Sequence, residues 1–283
     1  MKAKGSESGT YLGIPLYRPK VAFFEFSSCE GCQLQIINNE STLLDFLSLV
    51  EVVNFREAMT EKSDDYEIAF VEGSITRNDE AERLKKIRKN AKVLVALGSC
   101  ACFGGVNQLK NRFENLDWVK KQVYGKHPID TAPVKALEDV VNVDLRIYGC
   151  PIKKEEVEKI VLHIALGKSV VIPKYPVCME CKANENICLF DLGELCLGPV
   201  TRAGCDSWCP SNNAGCWGCR GPAEDANVKH MKEIMKEKGF SGKSIMERLD
   251  CFGGFAHFPE LKKKGKSLKN SWPQTNTDKK SRK

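Results

Sequence analysis

Eight of the chain's 14 cysteines stand between Cys178 and Cys219, a span of 42 residues broken by Gly and Pro and without sustained periodicity. Such a segment buries too little aliphatic surface to fold on hydrophobic area alone. It needs staples, and bound metal can supply them. A disulfide scaffold is the other use for so many cysteines, but it belongs to short secreted chains that open with a signal peptide. At 283 residues the chain has room for one ordinary domain and a smaller second one. Met1–Lys20 shows no apolar core with a cleavage site and no twin-arginine pattern. No run of about 18 apolar residues is present to span a membrane. These features point to a cytoplasmic protein whose cysteines stay reduced and bind metal.

The net charge of +6 hints at nucleic acid until it is located. From Glu260 to Lys283 there are eight Lys and one Arg against two acids, a balance of +7, so the rest of the chain sums to −1. The basic character belongs to a tail, 259–283, rich in Lys, Ser and Asn, which reads as disordered and solvated or as docking to a partner subunit. No nucleic-acid partner is expected.

Upstream, strands alternate with helices. Val21–Phe26 is a short apolar run, followed by a loop at Ser27–Gly31 and a helical stretch through Leu34, Ile37, Leu44 and Leu47 at nearly 3.6-residue spacing. Val52–Phe55 and Glu67–Glu72 read as strands. Asn78 or Asp79 is placed to cap a helix through Leu84 and Ile87. Lys92–Leu97 is a continuous apolar strand ending at Gly98, Val143–Tyr148 another ending at Gly149, and Lys153–Leu166 a helix after Pro151. Continuous apolar strands between helices predict a parallel sheet covered on both faces, an α/β domain at 15–170. Past Pro173 the texture changes to the irregular Cys-rich domain, 171–258, with a helix around Lys229–Lys238.

Cys29 and Cys32 form a C-x-x-C after the first strand; Cys100 and Cys150 each follow a later one. All are loops at the carboxyl edge of the predicted sheet, where open α/β sheets bind ligands. Four thiolates can converge there, and the glycines beside them (Gly31, Gly98, Gly104, Gly105, Gly149) let backbone approach a bulky group. An iron–sulfur cluster, a structural zinc and a redox-active C-x-x-C all fit this set. Cys102 reads as a small buried hydrophobe. The later eight divide by order into Cys178, Cys181, Cys188, Cys196 and Cys205, Cys209, Cys216, Cys219, each with one C-x-x-C. Clusters take four thiolates, and two zinc knuckles are the competing use. Twelve ligand-grade cysteines in three sets of four favour a relay of clusters.

The runs Ser27-Ser28-Cys29-Glu30-Gly31-Cys32, Gly98-Ser99-Cys100-Ala101-Cys102-Phe103-Gly104-Gly105 and Gly149-Cys150-Pro151 resemble the proximal-cluster motifs of [NiFe] hydrogenase small subunits. They are also similar to motifs of the related 20 kDa subunit of respiratory complex I. Cys196-Leu197-Gly198-Pro199-Val200-Thr201-Arg202-Ala203-Gly204-Cys205, with Cys216-Trp217-Gly218-Cys219-Arg220-Gly221-Pro222, is similar to the soluble group 3 hydrogenases. The nearest likeness there is to the delta subunit of NAD(P)-linked sulfhydrogenases, which the Cys-Gln-Leu-Gln stretch from Cys32 supports. The resemblance covers 15–222.

It implies a flavodoxin-like N-terminal domain, a Cys-rich iron–sulfur C-terminal domain and three [4Fe–4S] clusters. Cys29, Cys32, Cys100 and Cys150 would hold the proximal one, Cys178, Cys181, Cys188 and Cys196 the distal one, and Cys205, Cys209, Cys216 and Cys219 the medial one. Membrane-bound members of that family have a histidine where Cys178 stands and lack a counterpart of Cys209. All-thiolate ligation implies low potentials. The implied partners are a large subunit carrying nickel and iron, where dihydrogen is split, and a flavin- and iron–sulfur-containing subunit. No catalytic residue of that chemistry is expected in this chain. Glu25 is weighed as a proton carrier against a plain strand-end charge, and Trp217 as a water shield against plain packing. His127, His163, His230 and His257 show no metal spacing, and Cys251 reads as packed. Two rivals keep their place: a viologen-reducing hydrogenase subunit feeding a heterodisulfide reductase, and a zinc-stabilised nucleic-acid-binding module.

Overall fold

The β-branched and aromatic runs of the first half form five strands: β1 (Lys20–Glu25), β2 (Glu51–Phe55), β3 (Ile68–Glu72), β4 (Val93–Leu97) and β5 (Leu145–Ile147). Within this sheet every pairing is parallel, in the order β2-β1-β3-β4-β5, the flavodoxin-like doubly wound order; 10–11 and 14–15 pair antiparallel apart from it. β3 and β4 are buried throughout, as strands covered on both faces must be. The computed structural model describes residues 18–39, 43–166 and 168–256, with only the backbone of 10–11 and 14–15. The basic tail and His257 lie outside the described residues.

One face of the sheet packs Phe23, Phe70, Val95 and Leu97 against Val157, Val161 and Ile164 of helix α6 (Lys154–Ala165). The Phe23 ring stacks between Phe55 at 4.4 Å and Phe70 at 5.0 Å. The other face packs Ala22, Val71 and Leu94 against Leu84 and Ile87 of helix α3 (Asn78–Asn90). Cys102 is buried in this second core, and helix α5 (Leu116–Tyr124) follows between β4 and β5 in the chain. Each fully buried side chain of this size contributes about 1.5–3 kcal/mol.

Two sequence-based expectations are corrected. The single helical stretch through Leu34 and Leu47 is two helices, α1 (Gly31–Ile37) and α2 (Leu43–Leu49). The leucines that suggested its buried face, Leu34, Leu44 and Leu47, are exposed, while Cys32, Gln33, Ile36 and Phe46 face inward. The inward face of α1 is set by where its first amides must point. The α3 helix is capped neither by Asn78 nor by Asp79. Its own Glu80 reaches back to accept from the Thr76 and Arg77 amides at 2.7 and 3.0 Å, as the N3 member of a capping box does.

The Cys-rich stretch shares an apolar core with the two helices that follow it. Val177, Leu189, Leu195, Leu197 and Val200 pack on Val228, Met231 and Met235 of α9 (Val228–Glu237), and on Ile245 and Leu249 of α10 (Gly242–Asp250). Between them lie α7 (Val177–Ala183) and the single-turn α8 (Trp208–Ser211). Isolated bridges, Pro176 with Arg202 and Thr201 with Pro222, replace regular strands.

Candidate functional site

Parallel register brings Glu25, Glu72, Leu97 and Ile147 side by side at the ends of their strands. The segments leaving these strands therefore meet at one edge. Cys29 and Cys32 come after β1, Cys100 lies in α4 (Gly98–Phe103) directly after β4, and Cys150 comes after β5. The Cys29 loop is pinned by reciprocal backbone bonds between Ser27 and Ser74 at 3.0 and 3.2 Å. The Cys100 sulfur is within electrostatic reach of Cys150 and Cys29, and Cys32 within reach of Cys150.

Two glycines make the gathering sterically possible. Gly98 has φ +83°, and a Cβ there would collide with the Cys32 sulfur; at Gly105, φ +58°, it would stand 2.5 Å from the Cys100 sulfur. Both positions combine a left-handed backbone with a close approach that only glycine tolerates.

Helix α1 begins without a side-chain cap, its preceding residue Glu30 at φ +61°. Its free amides are satisfied from across the sheet: the buried Glu72 carboxylate accepts from the Cys32 amide at 3.1 Å and the Gln33 amide at 2.9 Å. A carboxylate at a helix N-terminus suits both the orphan donors and the dipole. Burial nonetheless pushes the Glu72 carboxyl above its usual range, with the two amides opposing. Sequence reading missed this residue, although an acid closing the wholly apolar run Ile68–Glu72 is a visible signal. Glu25, at the end of β1, is held by Arg56 at 3.2 Å and Arg83 at 3.4 Å.

The second set gathers around α7. Cys178 is within electrostatic reach of Cys181, Cys188 and Cys196, and a Cβ at Gly198 would stand 3.3 Å from the Cys178 sulfur and 3.4 Å from that of Cys196. The third set gathers around α8. Cys219 is within reach of Cys205 and Cys209, and Cys216 within reach of Cys219. Left-handed residues Asp206, Ser207 and Gly218 turn amides toward sulfur here: Trp208 and Ser207 toward Cys205, Trp217 toward Cys209, and Gly218 toward Cys216 at 3.4 Å. Glu180 of α7 closes the loop by accepting from the Gly204 amide at 2.7 Å and the Ser207 amide at 3.0 Å.

The third set is hydrogen-bonded to both others. Toward the first, the Cys150 amide faces the Cys219 sulfur, and the Ser99 hydroxyl is shared by the carbonyls of Gly149 and Cys219. Toward the second, the Cys216 amide donates to the Cys196 sulfur at 3.2 Å, and the Leu197 amide to the Cys216 carbonyl at 3.0 Å. The third set therefore lies next to both others.

Burial pushes the Cys100, Cys178 and Cys219 thiols up to about 12, and the charges of neighbouring cysteines push the same way. Such crowded thiols become thiolates only against positive charge, and metal provides it. Thiolate donors in fours and glycine-cleared approaches fit iron–sulfur clusters. Among the described residues no three His, Cys, Asp or Glu side chains crowd closely enough for a single metal ion.

Outside the three sets, Cys251 lies within electrostatic reach of Cys150. Trp217 is half exposed under the Arg248 guanidinium, 3.6 Å from its ring centre. His127 is exposed, His163 Nδ1 is 3.0 Å from the Ser169 carbonyl, and His230 pairs with Glu233 at 3.5 Å.

The family described as NADH ubiquinone oxidoreductase, 20 Kd subunit, matches residues 29–164. Sulfhydrogenase 2 subunit delta of Pyrococcus furiosus is 40% identical over 222 residues, covering 77% of this chain and 92% of that one. The chain belongs to the hydrogenase small-subunit family. Among other small subunits, one from the F420-non-reducing hydrogenase of Methanocaldococcus jannaschii is 29% identical, over 72% of this chain and 82% of its own. A chain of the crystal structure of an NAD+-reducing [NiFe]-hydrogenase in the H2-reduced state shares the fold, with TM-score 0.51 at 23% identity over 55% of this chain and 96% of that one. Among the described residues no helix is long and apolar enough to cross a membrane.

Proposed function

We propose that this small subunit carries electrons for a [NiFe] hydrogenase through three [4Fe–4S] clusters. Cys29, Cys32, Cys100 and Cys150 hold the proximal cluster, Cys205, Cys209, Cys216 and Cys219 the medial one, and Cys178, Cys181, Cys188 and Cys196 the distal one. Its partners in this reading are a large subunit with nickel and iron on the proximal side, and a flavin- and iron–sulfur-containing subunit linked to NAD(P) beyond the distal side. The observation that carries the reading is the presence of three four-cysteine sets, one of them hydrogen-bonded to both others.

When bound, such clusters supply one-electron redox chemistry at potentials set by charge, hydrogen bonds and solvent exposure. The chain's own residues do the rest. The sheet edge and α7–α8 hold twelve sulfurs in fixed groups. Gly98 and Gly105 keep backbone clear of them. The amides of Gly198, Ser207, Trp208, Trp217 and Gly218 face sulfur, where they stabilise negative charge.

The test is metal analysis of the anaerobically purified complex with its co-purifying chains identified. About twelve irons and twelve acid-labile sulfides in this subunit are expected, with nickel in a larger partner. Zinc in their place, or no nickel-bearing partner, overturns the reading. The F420-non-reducing relatives support a second reading with the same clusters but a heterodisulfide reductase as acceptor; the partner chains distinguish the two.

A further inference from the structure

Among the described residues Arg220 is the largest fully buried side chain, 1% exposed, and it belongs to the segment that follows Cys219. Every hydrogen bond it makes crosses to another segment. Nε donates to the Ala203 carbonyl at 2.8 Å and Nη1 to the Tyr148 carbonyl at 2.5 Å. The two Nη groups hold both oxygens of Glu156 on α6, at 2.9 and 2.8 Å. The place is built for a guanidinium. Gly204, at φ +112°, faces it so closely that a Cβ would clash with Nη2, and the five donors of a planar fork are what two carbonyls and a carboxylate can use.

Stability gives a weak account of this pair. A buried salt bridge costs so much desolvation that apolar replacements are often neutral or better. What the pair does have is position. The guanidinium is within electrostatic reach of the Cys205 and Cys219 sulfurs, while its Nη groups hold Glu156 on α6. Tyr148, which it also binds, stands two residues before Cys150 of the first set.

We propose that Arg220 and Glu156 together set the reduction potential of the group held by Cys205, Cys209, Cys216 and Cys219, and hold that group against the first set. The inference rests on the three-cluster reading and assigns these two residues a role within it. A fixed cation beside the thiolates favours the state with one more electron and so raises the potential. The carboxylate it holds cancels part of that effect. When one electron enters the group, no bond, proton or ligand is exchanged at Arg220, whose charge is constant. Only the energy of that electron depends on the pair.

The two partners must therefore act with opposite sign. In the purified complex, titrated under anaerobic conditions with dithionite and followed by electron paramagnetic resonance, the third-set signal is identified as the one altered by Cys209→Ser. Arg220→Gln is expected to lower its potential by about 59 mV, a tenfold change in the reduced-to-oxidised ratio for a one-electron centre. Glu156→Gln, which keeps an acceptor for the guanidinium while removing the charge, is expected to shift it upward. Arg220→Lys keeps the charge and is expected to stay close to the unmodified protein. Opposite shifts with rescue by lysine establish the proposal. Shifts of the same sign, or none in Glu156→Gln, overturn it, and Glu156→Gln alone decides if Arg220→Gln fails to fold. Absence of any third-set iron signal in the unmodified complex overturns the cluster reading, which separates that failure from this one.

Discussion

The sheet and the Cys-rich region solve one problem, holding four sulfurs together, in opposite ways. In the sheet, β3 and β4 are buried throughout between two apolar cores, and the four cysteines follow strand ends that parallel register has already aligned, Cys32 alone entering the core from α1. In the Cys-rich region more of the sulfurs lie inside the fold: Cys181, Cys196 and Cys216 are buried. Cys196 and Cys216 belong to its apolar core beside Leu195 and Leu197, and isolated bridges take the place of strands. One region is a scaffold with a site attached. In the other, site and scaffold share the same residues, so loss of metal and loss of packing reach the same place.

Removal of metal by anaerobic chelation should break the symmetry most sharply. Residues 177–220 are expected to lose protection from proteolysis and hydrogen exchange, while β1–β5 keep theirs; uniform loss of protection across both regions would erase the distinction. Next, Phe70→Ala, at a wholly buried position between the sheet and α6, is expected to cost about 3–5 kcal/mol in denaturant unfolding, with iron content unchanged in the protein that remains folded. Met235→Ala, also fully buried but under the Cys-rich loops, is expected to cost about 2–5 kcal/mol and to lower iron occupancy as well. Equal iron retention in these two variants would mean that the α9–α10 core does not support the later sets.

Gly98→Ala should cost the first set alone, removing about a third of the iron, since the new Cβ meets the Cys32 sulfur. Smallest of all is the bridge across the seam, Lys153 to Asp206, both partly exposed. Lys153→Ala is expected to change stability by about 0–1 kcal/mol, and a larger effect would mean that this seam holds the regions together through surface charge.

The sheet was legible from β-branched runs because period and burial are local properties of a strand. The short helices were less so. Leu34, Leu44 and Leu47 have helical spacing, but α1 is rotated by the need to present the Cys32 and Gln33 amides to Glu72, forty residues away in sequence. Grouping the cysteines by sequence order needs only counting. Which sets adjoin depends on amides such as those of Cys150 and Cys216, which no side-chain pattern records. Arg220 was visible in the motif beside Cys219, yet nothing local announces that its partner is Glu156 on α6.

Cys150 belongs to two neighbourhoods by two different atoms, its sulfur turned to the first set and its amide to Cys219 of the third. On the proposed three-cluster reading, a change confined to that sulfur, by oxidation or by replacement with serine, is expected to leave the amide facing Cys219, so that injury at the sheet edge need not spread to the third set.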